Sequence, residues 1–311
     1  MLHPSFSIIV PIYGVEKYIR RCATSLFRQD YDRIQFIFVN DGTKDRSMEI
    51  LQSLIDEEYR HLKPRIIIVN KENAGLPAAR KSGMEHATGD YILHVDSDDY
   101  IDTNTISKIA QASEKTDADF IYFDLIKEYP KRKSYKKELD YNNESKKEFA
   151  NNILKGRSFG YLCDKCFKKS VYESHTLYYA PHGVYEDIYS SAQLIAYSQS
   201  VYHLKEYLYH YDRSNTAAHT AMPRKKRHYQ FCANMLDLYS HFSADIENSP
   251  IKNVAPSMMF LVAWYNIRHG LNFFQTHPEL AEYVSGIPLS TNYCVSIALQ
   301  LYIKAHIRWF L

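Results

Sequence analysis

Asp96, Asp98 and Asp99 place three carboxylates within four residues, directly after the apolar run Tyr91-Ile-Leu-His-Val95. Like charges so close disfavour joint ionisation unless a cation or a donor-rich ligand sits among them. An all-oxygen set suits a hard divalent ion, Mg²⁺ or Mn²⁺, which binds through one or two carboxylates, keeps some waters and takes substrate phosphates as further ligands. The competing reading is local: Asp98 and Asp99 would cap a helix over 103–112. A second pair of acids, Glu186-Asp187, opens another helical stretch, where two carboxylates also complement the positive end of a helix dipole.

The elements that must position these acids alternate. Residues 6–12 read as a buried strand closed by Tyr13-Gly14, and Val15, Tyr18, Ile19, Cys22 and Leu26 then recur at helical spacing up to Arg28. A second strand, 34–39, ends in Asn40-Asp41-Gly42-Thr43, a helix runs from Asp45 to about Arg60, and residues 65–69 form a third strand. Strands alternating with helices through short loops predict a parallel sheet with right-handed crossovers, whose ligands lie outside the carboxyl ends of the strands. Four polar ends therefore converge on one edge: Pro11 to Tyr13, Asn40 to Gly42, Asn70 to Asn73, and Asp96 to Asp98. Gly14 is the only glycine after the first strand, which excludes a Gly-x-Gly-x-x-Gly dinucleotide loop, and no Walker lysine loop is present. Metal carboxylates are left as the means of handling phosphate charge. A phosphatase that uses Asp-x-Asp as nucleophile carries it after the first strand, whereas here it follows the fourth.

The chain has 311 residues, room for one large α/β domain with a helical appendage or for two domains, and a formal charge of +2 that argues for no nucleic-acid partner. Its 27 tyrosines suit the walls of a polar cleft or a wet core. Five cysteines without a signal-peptide-like start indicate a reducing, cytoplasmic compartment. Cys163 and Cys166 have zinc-like spacing, but no second Cys/His pair matches them.

Four segments in order resemble the motifs of family 2 inverting glycosyltransferases: Ser7-Ile-Ile-Val-Pro-Ile-Tyr13, Ile37-Phe-Val-Asn-Asp-Gly-Thr-Lys-Asp-Arg-Ser47, Asn73-Ala-Gly-Leu-Pro-Ala-Ala-Arg80 and Gly89 to Tyr100. The resemblance implies an α/β GT-A fold, Rossmann-like with a mostly parallel sheet flanked by helices, a nucleotide-sugar donor and a divalent cation (Mn²⁺ or Mg²⁺). It implies a GT-A domain over 1–220, with 1–125 the nucleotide-sugar half and 126–220 the acceptor half; the resemblance does not cover 221–311, which reads from its own residues as a C-terminal helical region. Pro11 and Tyr13 would pack around the base or ribose, Asp41 would accept from the base and so favour uracil, and Asn73 and Arg80 would contact the base or the diphosphate. Asp96 would touch the ribose or the metal, Asp98 would ligate it directly, and His219 would reach it from a closing loop, with His210 structural. Asp187 would be the general base and Glu186 its orienting neighbour. Read without the resemblance, Asp41 makes a turn before Gly42 and Arg80 is a solvated helix residue. Gly14 departs from the Asn that many relatives carry. Phe159 to Ser170 resembles a further family segment in which other residues stand at the positions of Cys163 and Cys166.

Lys131 to Lys137 is a basic run that reads as a solvated hairpin tip, with an anionic acceptor or a membrane surface as the sharper alternative. Residues 258–274 read as a buried helix. Tyr293 to Leu311 is apolar except for the stripe Ser296, Gln300, Lys304 and Arg308, which leaves three coverings open: its own domain, a partner helix in a homo-oligomer, or a membrane surface. Together with these residues, the resemblance implies a cytoplasmic, metal-dependent inverting glycosyltransferase of hexosyl type, working at the inner face of the membrane. The resemblance further implies that it moves a sugar from a nucleotide-sugar, with UDP favoured, to a hydroxyl of a glycan or lipid-linked acceptor in surface polysaccharide or glycolipid synthesis. The rivals are a nucleotidyltransferase, which usually carries a glycine- and arginine-rich first loop that is missing here, and a non-catalytic nucleotide-sugar-binding or scaffold protein of the same fold.

Overall fold

The computed structural model describes residues 3–142, 146–154, 157–180, 185–215 and 223–243, and singly 249, 255, 259, 262, 263, 265 and 266. His219 and the 293–311 stripe lie outside the described residues.

The first strand, β1 (Phe6–Ile12), is buried at every position. Its side chains alternate between two cores: Phe6, Ile8, Val10 and Ile12 enter one, Ile9 the other. A strand covered on both faces needs this unbroken apolar run, because neither face meets water. Next to β1 lie β2 (Ile34–Asn40) and β4 (Tyr91–His94), and beyond β2 lies β3 (Ile66–Asn70), all parallel. The registers Ile12↔Asn40 and Asn40↔Asn70 bring the polar strand ends to one edge, as expected.

Helix α1 (Ile19–Phe27) starts four residues later than the apolar spacing suggests, because Val15 to Tyr18 form a turn in which the backbone N–H groups of Tyr18 and Ile19 both reach the Val15 carbonyl. Helix α2 (Ser47–Glu57) stops short of Arg60, and α3 (Leu76–Met84) follows β3. The short β5 (Tyr100–Ile101) leads to α4 (Thr105–Thr116), in which neither Asp98 nor Asp99 serves as the cap; the capping position is Asn104.

Past α4 the sheet becomes mixed. Strand β6 (Phe120–Tyr129) makes a hairpin with β7 (Arg132–Lys136) around Pro130 and Lys131, so the basic run is a hairpin with exposed Lys131, Arg132, Lys133 and Lys137. After α5 (Lys146–Leu154) comes β8 (Lys165–Lys168), antiparallel to both β4 and β6 and bridging them. Short α6 (Lys169–Glu173) and then α7 (Glu186–Tyr197) lead into β9 (Val201–Asp212), which runs parallel to β6. One continuous sheet thus joins residues 6 to 212, ordered β3-β2-β1-β4-β8-β6-β9-β5, and the 125/126 boundary falls inside β6.

Helix α8 (Arg224–Phe242) packs on α7 through Tyr189, Phe231, Met235 and Leu238. Met259 and Val262, within the expected 258–274 helix, are helical and buried in the same core. No helix among the described residues is long and apolar enough to cross a membrane.

Candidate active site

A cleft of about 800 Å³ opens at the carboxyl edge of the parallel strands. Pro11, Tyr13, Asp41, Asn73, Asp96 and Asp98 line it from the strand ends, and Glu186 and Asp187 line it from the first turn of α7. Tyr13, Asp41, Asn73, Asp96 and Asp98 follow the carboxyl ends of strands, as the crevice rule for open α/β sheets requires, and Pro11 is the penultimate residue of β1.

Arg80 ties the two groups of acids together. Its Nη2 donates to Asp96 Oδ1 at 2.8 Å, and its Nη1 donates to Glu186 Oε1 at 3.0 Å and also to Asp187 Oδ1. Side-chain exposure decides which groups face the cleft: 4% for Arg80, 8% for Glu186, 19% for Asp187 and 24% for Asp96. Arg80 is therefore neither solvated nor among the residues that line the cleft; it is a buried clamp behind the carboxylates. Burial pushes Asp96 up to about 6, against the opposing pull of Arg80. Burial, and then the Asp187 charge, raises Glu186 well above the usual carboxylate range. Behind Arg80, burial and the guanidinium charge push the His94 imidazole far below its ordinary value, so the clamp meets a neutral ring.

Helix α7 enters this arrangement through Tyr185, a non-glycine residue with φ +65°. A left-handed residue of this kind costs on the order of 1–3 kcal/mol and persists only where its surroundings hold it, as they often do at active sites.

Asp98 accepts a hydrogen bond from Asn215 Nδ2 at 2.9 Å, and burial raises its carboxyl. Asp99 does different work. It is fully buried, accepting from Tyr209 Oη and from the Asp212 backbone N–H, both at 2.7 Å, and so fastens the β4–β5 loop to β9. The same Tyr209 hydroxyl accepts from the Asp96 backbone N–H at 3.1 Å. Asp96, Asp99 and Cys163 bring ligand atoms within 4.8 Å of one another. Burial raises the Cys163 thiol strongly, so sulfur is a poor donor there. The oxygen donors Asp96 and Asp98, which face the cleft and carry raised pKa values, fit a hard divalent cation that would relieve their crowding. Cys166 is buried at the β4–β8–β6 junction and belongs to no metal-ligand cluster among the described residues.

Asp41 is more occupied than the sequence suggests. Its carboxylate accepts from Lys71 Nζ at 2.6 Å, Ala74 N at 3.0 Å and Gly75 N at 2.9 Å, and so shapes the loop that carries Asn73. The local turn belongs to Asn40, whose side chain accepts from Thr43 N at 3.0 Å. Gly42, at φ +68°, allows the two loops to meet: a Cβ there would stand 3.0 Å from Asn73 N. Tyr13 is 54% exposed and presents its ring at the cleft mouth. His210 is held between Asp102 and Glu128, at 2.9 and 3.0 Å, and stacks on Tyr100.

Residues that sequence reasoning did not single out also line the cleft: Lys127, Tyr161, Arg213, Asn215 and Arg227. They come from β6, the segment before β8, the segment after β9, and α8, and the even spacing of apolar residues carries no mark of them.

The fold is shared with residues 1–349 of S. aureus TarS in complex with UDP-GlcNAc, at TM-score 0.64 and 16% identity, covering 98% of this chain and 92% of that one. It is also shared with the mannosyltransferase PcManGT of Pyrobaculum calidifontis in complex with GDP-Man and Mn²⁺, at TM-score 0.52 and 17% identity, covering 99% and 84%. The architecture is thus the α/β GT-A fold. Among curated sequences, the glycosyltransferase EpsH of Bacillus subtilis (strain 168) is 32% identical over 213 residues, 67% of this chain but 60% of EpsH. Glycosyltransferase GlyA of Streptococcus pneumoniae serotype 4 is 29% identical over 227 residues, 68% of this chain but 31% of GlyA. The family model for glycosyl transferase family 2 matches residues 7–175, more than half of the chain, and with four strand ends and their carboxylates gathered at one cleft this chain belongs to that family.

Proposed function

We propose that this glycosyltransferase moves a sugar from a nucleotide-sugar, a UDP-sugar by preference, to a hydroxyl of a glycan or lipid-linked acceptor with inversion at the anomeric carbon. The observation that carries the reading is the one cleft lined by Asp96 and Asp98 and by Glu186 and Asp187, with Arg80 joining Asp96 to the second pair. Fold relatives that hold UDP-GlcNAc, or GDP-Man with Mn²⁺, support a nucleotide-sugar donor and a divalent cation.

In this reading Pro11, Tyr13, Asp41 and Asn73 receive the nucleoside at the strand ends. Asp96 and Asp98 would hold a divalent ion, which would supply Lewis-acid stabilisation of the departing diphosphate. Asp187, whose Oδ1 is engaged by Arg80, takes the acceptor's hydroxyl proton on Oδ2. The acceptor O–H bond breaks as the new bond to the anomeric carbon forms. The bond from that carbon to the diphosphate oxygen breaks with its electron pair leaving on the nucleotide. Glu186 and Arg80 act as positioning residues, because both lie deeper than Asp187 and hold it in place. The product would enter a surface polysaccharide or glycolipid.

The test is calorimetric titration of UDP, GDP and dTDP with Mn²⁺ and then with EDTA, together with turnover of Asp187→Asn. We expect metal-dependent binding of one nucleotide, and turnover lowered by about 10²–10⁴ with that nucleotide's affinity retained. Binding unaffected by EDTA removes the metal assignment, and full turnover in Asp187→Asn removes the base.

A further inference from the structure

The turn that delivers Asp187 has little local support. Tyr185 occupies the capping position of α7 and makes no side-chain capping bond, where serine, threonine, aspartate or asparagine would usually fasten the first turn. Its φ of +65° is one that a residue with a Cβ keeps only under constraint from its surroundings. Local sequence therefore does not fix the direction in which Glu186 and Asp187 leave the turn. Tertiary contacts must do so.

Arg80 supplies one such contact, and α8 supplies the others. The Tyr185 ring meets Phe231 edge-on, with centroids 5.4 Å apart and planes at 81°, an arrangement that aromatic pairs prefer. One helical turn along α7, the hydroxyl of buried Tyr189 donates to Asp237 Oδ2 at 2.8 Å. Phe231 is itself backed: it lies in the core with Met235, Leu238, Met259 and Val262, and it meets Tyr265 edge-on at 5.5 Å. A ring held on both sides is a firm stop for Tyr185. Arg227, one turn before Phe231, lines the cleft, so α8 borders the site as well as bracing it.

We propose that Phe231 and Asp237 are positioning residues for the proton transfer. Through Tyr185 and Tyr189 they hold α7, and so set where the Asp187 carboxylate stands relative to the acceptor hydroxyl. This rests on the sugar-transfer reading above, in which Asp187 is the base. Phe231 and Asp237 are absent from the cleft lining, so both act through α7. A displacement of about 1 Å at a reacting group can cost on the order of 10²-fold in rate, so modest contacts at the helix start have large consequences. The catalytic unit therefore extends into α8 rather than ending near residue 220.

The experiment uses the full chain with Mn²⁺. It reads UDP binding by calorimetry, and UDP release from UDP-glucose, UDP-galactose and UDP-N-acetylglucosamine with water as the acceptor. For a donor that the wild type turns over, Phe231→Leu should lower kcat about tenfold, with KM and UDP affinity changed less than about twofold. Asp237→Leu should lower kcat about fivefold, and Asp237→Asn, which keeps an oxygen to accept from Tyr189, should restore most of it. The deciding arm is a Tyr185→Gly background, in which a left-handed backbone needs no support: there Phe231→Leu should cost less than about twofold. Thermal midpoints of all variants convert the rates to turnover per folded molecule. Equal losses in the two backgrounds overturn the proposal, because Phe231 then acts as general packing, and so does a loss confined to KM. If Phe231→Leu fails to fold or Tyr185→Gly fails to turn over, the Asp237 pair decides alone: Asp237→Leu at the wild-type rate, or Asp237→Asn no faster than Asp237→Leu, overturns it. A wild type that binds no UDP, or releases it from none of the three donors, is a different result: it removes the transfer reading, and the positioning role falls with it.

Discussion

The two walls of the cleft are built by different means. On the strand-end wall, Tyr13, Asp41, Asn73, Asp96 and Asp98 each follow a parallel strand closely, and backbone register, with Asp41 and Asp99 pinning the loops, brings them together. On the adjoining wall, Glu186 and Asp187 arrive on a helix about a hundred residues after Arg80, held by one buried guanidinium and a strained Tyr185. The first wall is over-determined by many hydrogen bonds, while the second depends on a few side-chain contacts. Even the family match ends at residue 175, before the second pair of acids.

The sharpest break of this contrast is Arg80→Met. It leaves Asp96, Glu186 and Asp187 crowded without their counter-ion, and removal of one partner from a buried charged set typically costs about 3–5 kcal/mol. Chemical denaturation should show that loss together with abolished turnover. A stability change below about 1 kcal/mol would mean that the clamp is not what holds the second wall.

Two glycines separate the walls more finely. A Cβ at Gly89 would stand 2.5 Å from the backbone of Phe6 and Ser7, and one at Gly160 would stand 2.4 Å from the Ile188 side chain and 3.2 Å from its Cα. Overpacking of this kind costs about 1–3 kcal/mol at either site. Gly89→Ala should lower the thermal midpoint and leave turnover per folded molecule unchanged, because the strands beside it are pinned by register. Gly160→Ala pushes on α7 next to Asp187, so it should lower turnover as well. Equal turnover in the two variants contradicts the idea that the second wall is the adjustable one.

The smallest effect concerns the β6–β7 hairpin. Burial opposes ionisation of Glu128, but hydrogen bonds from Lys133, Tyr100 and His210 outweigh it and hold the carboxyl at about 2, against an ordinary value of 4.5. A depressed carboxylate contributes stability above its unfolded value and loses it as pH falls towards the folded one. Glu128→Gln should therefore lower stability at pH 7 and flatten the acid limb, with the difference from wild type closing as pH falls from about 4.5 to 2. An acid limb identical to wild type would detach Glu128 from that network.

Much of the strand-end wall was legible before any coordinates. Apolar runs ending in short polar segments specify buried parallel strands, and the topology of such strands forces their carboxyl ends to one edge, so Asp41 and Asp96 to Asp98 could be assigned to one cleft from order alone. The sequence also separated Asp98 and Asp187 as the acids to watch. It did not reveal that Asp99, one residue from Asp98, is a buried fastener to Tyr209 and Asp212, because both acids lie in a turn and only the distant strand β9 decides which of them is dry. Arg80 read as a helix residue facing water or ligand. Its burial follows from α7 crossing over it, a contact between residues 106 and 107 positions apart that no local pattern encodes. Lys127, Arg213 and Arg227 escaped notice for the same reason: charges scattered over a strand, a strand end and a helix line one cleft only when β6, β9 and α8 meet. Local periodicity and polar strand ends thus determined the sheet and its binding edge, whereas long-range packing decided which of the charged groups are exposed to substrate, paired or buried.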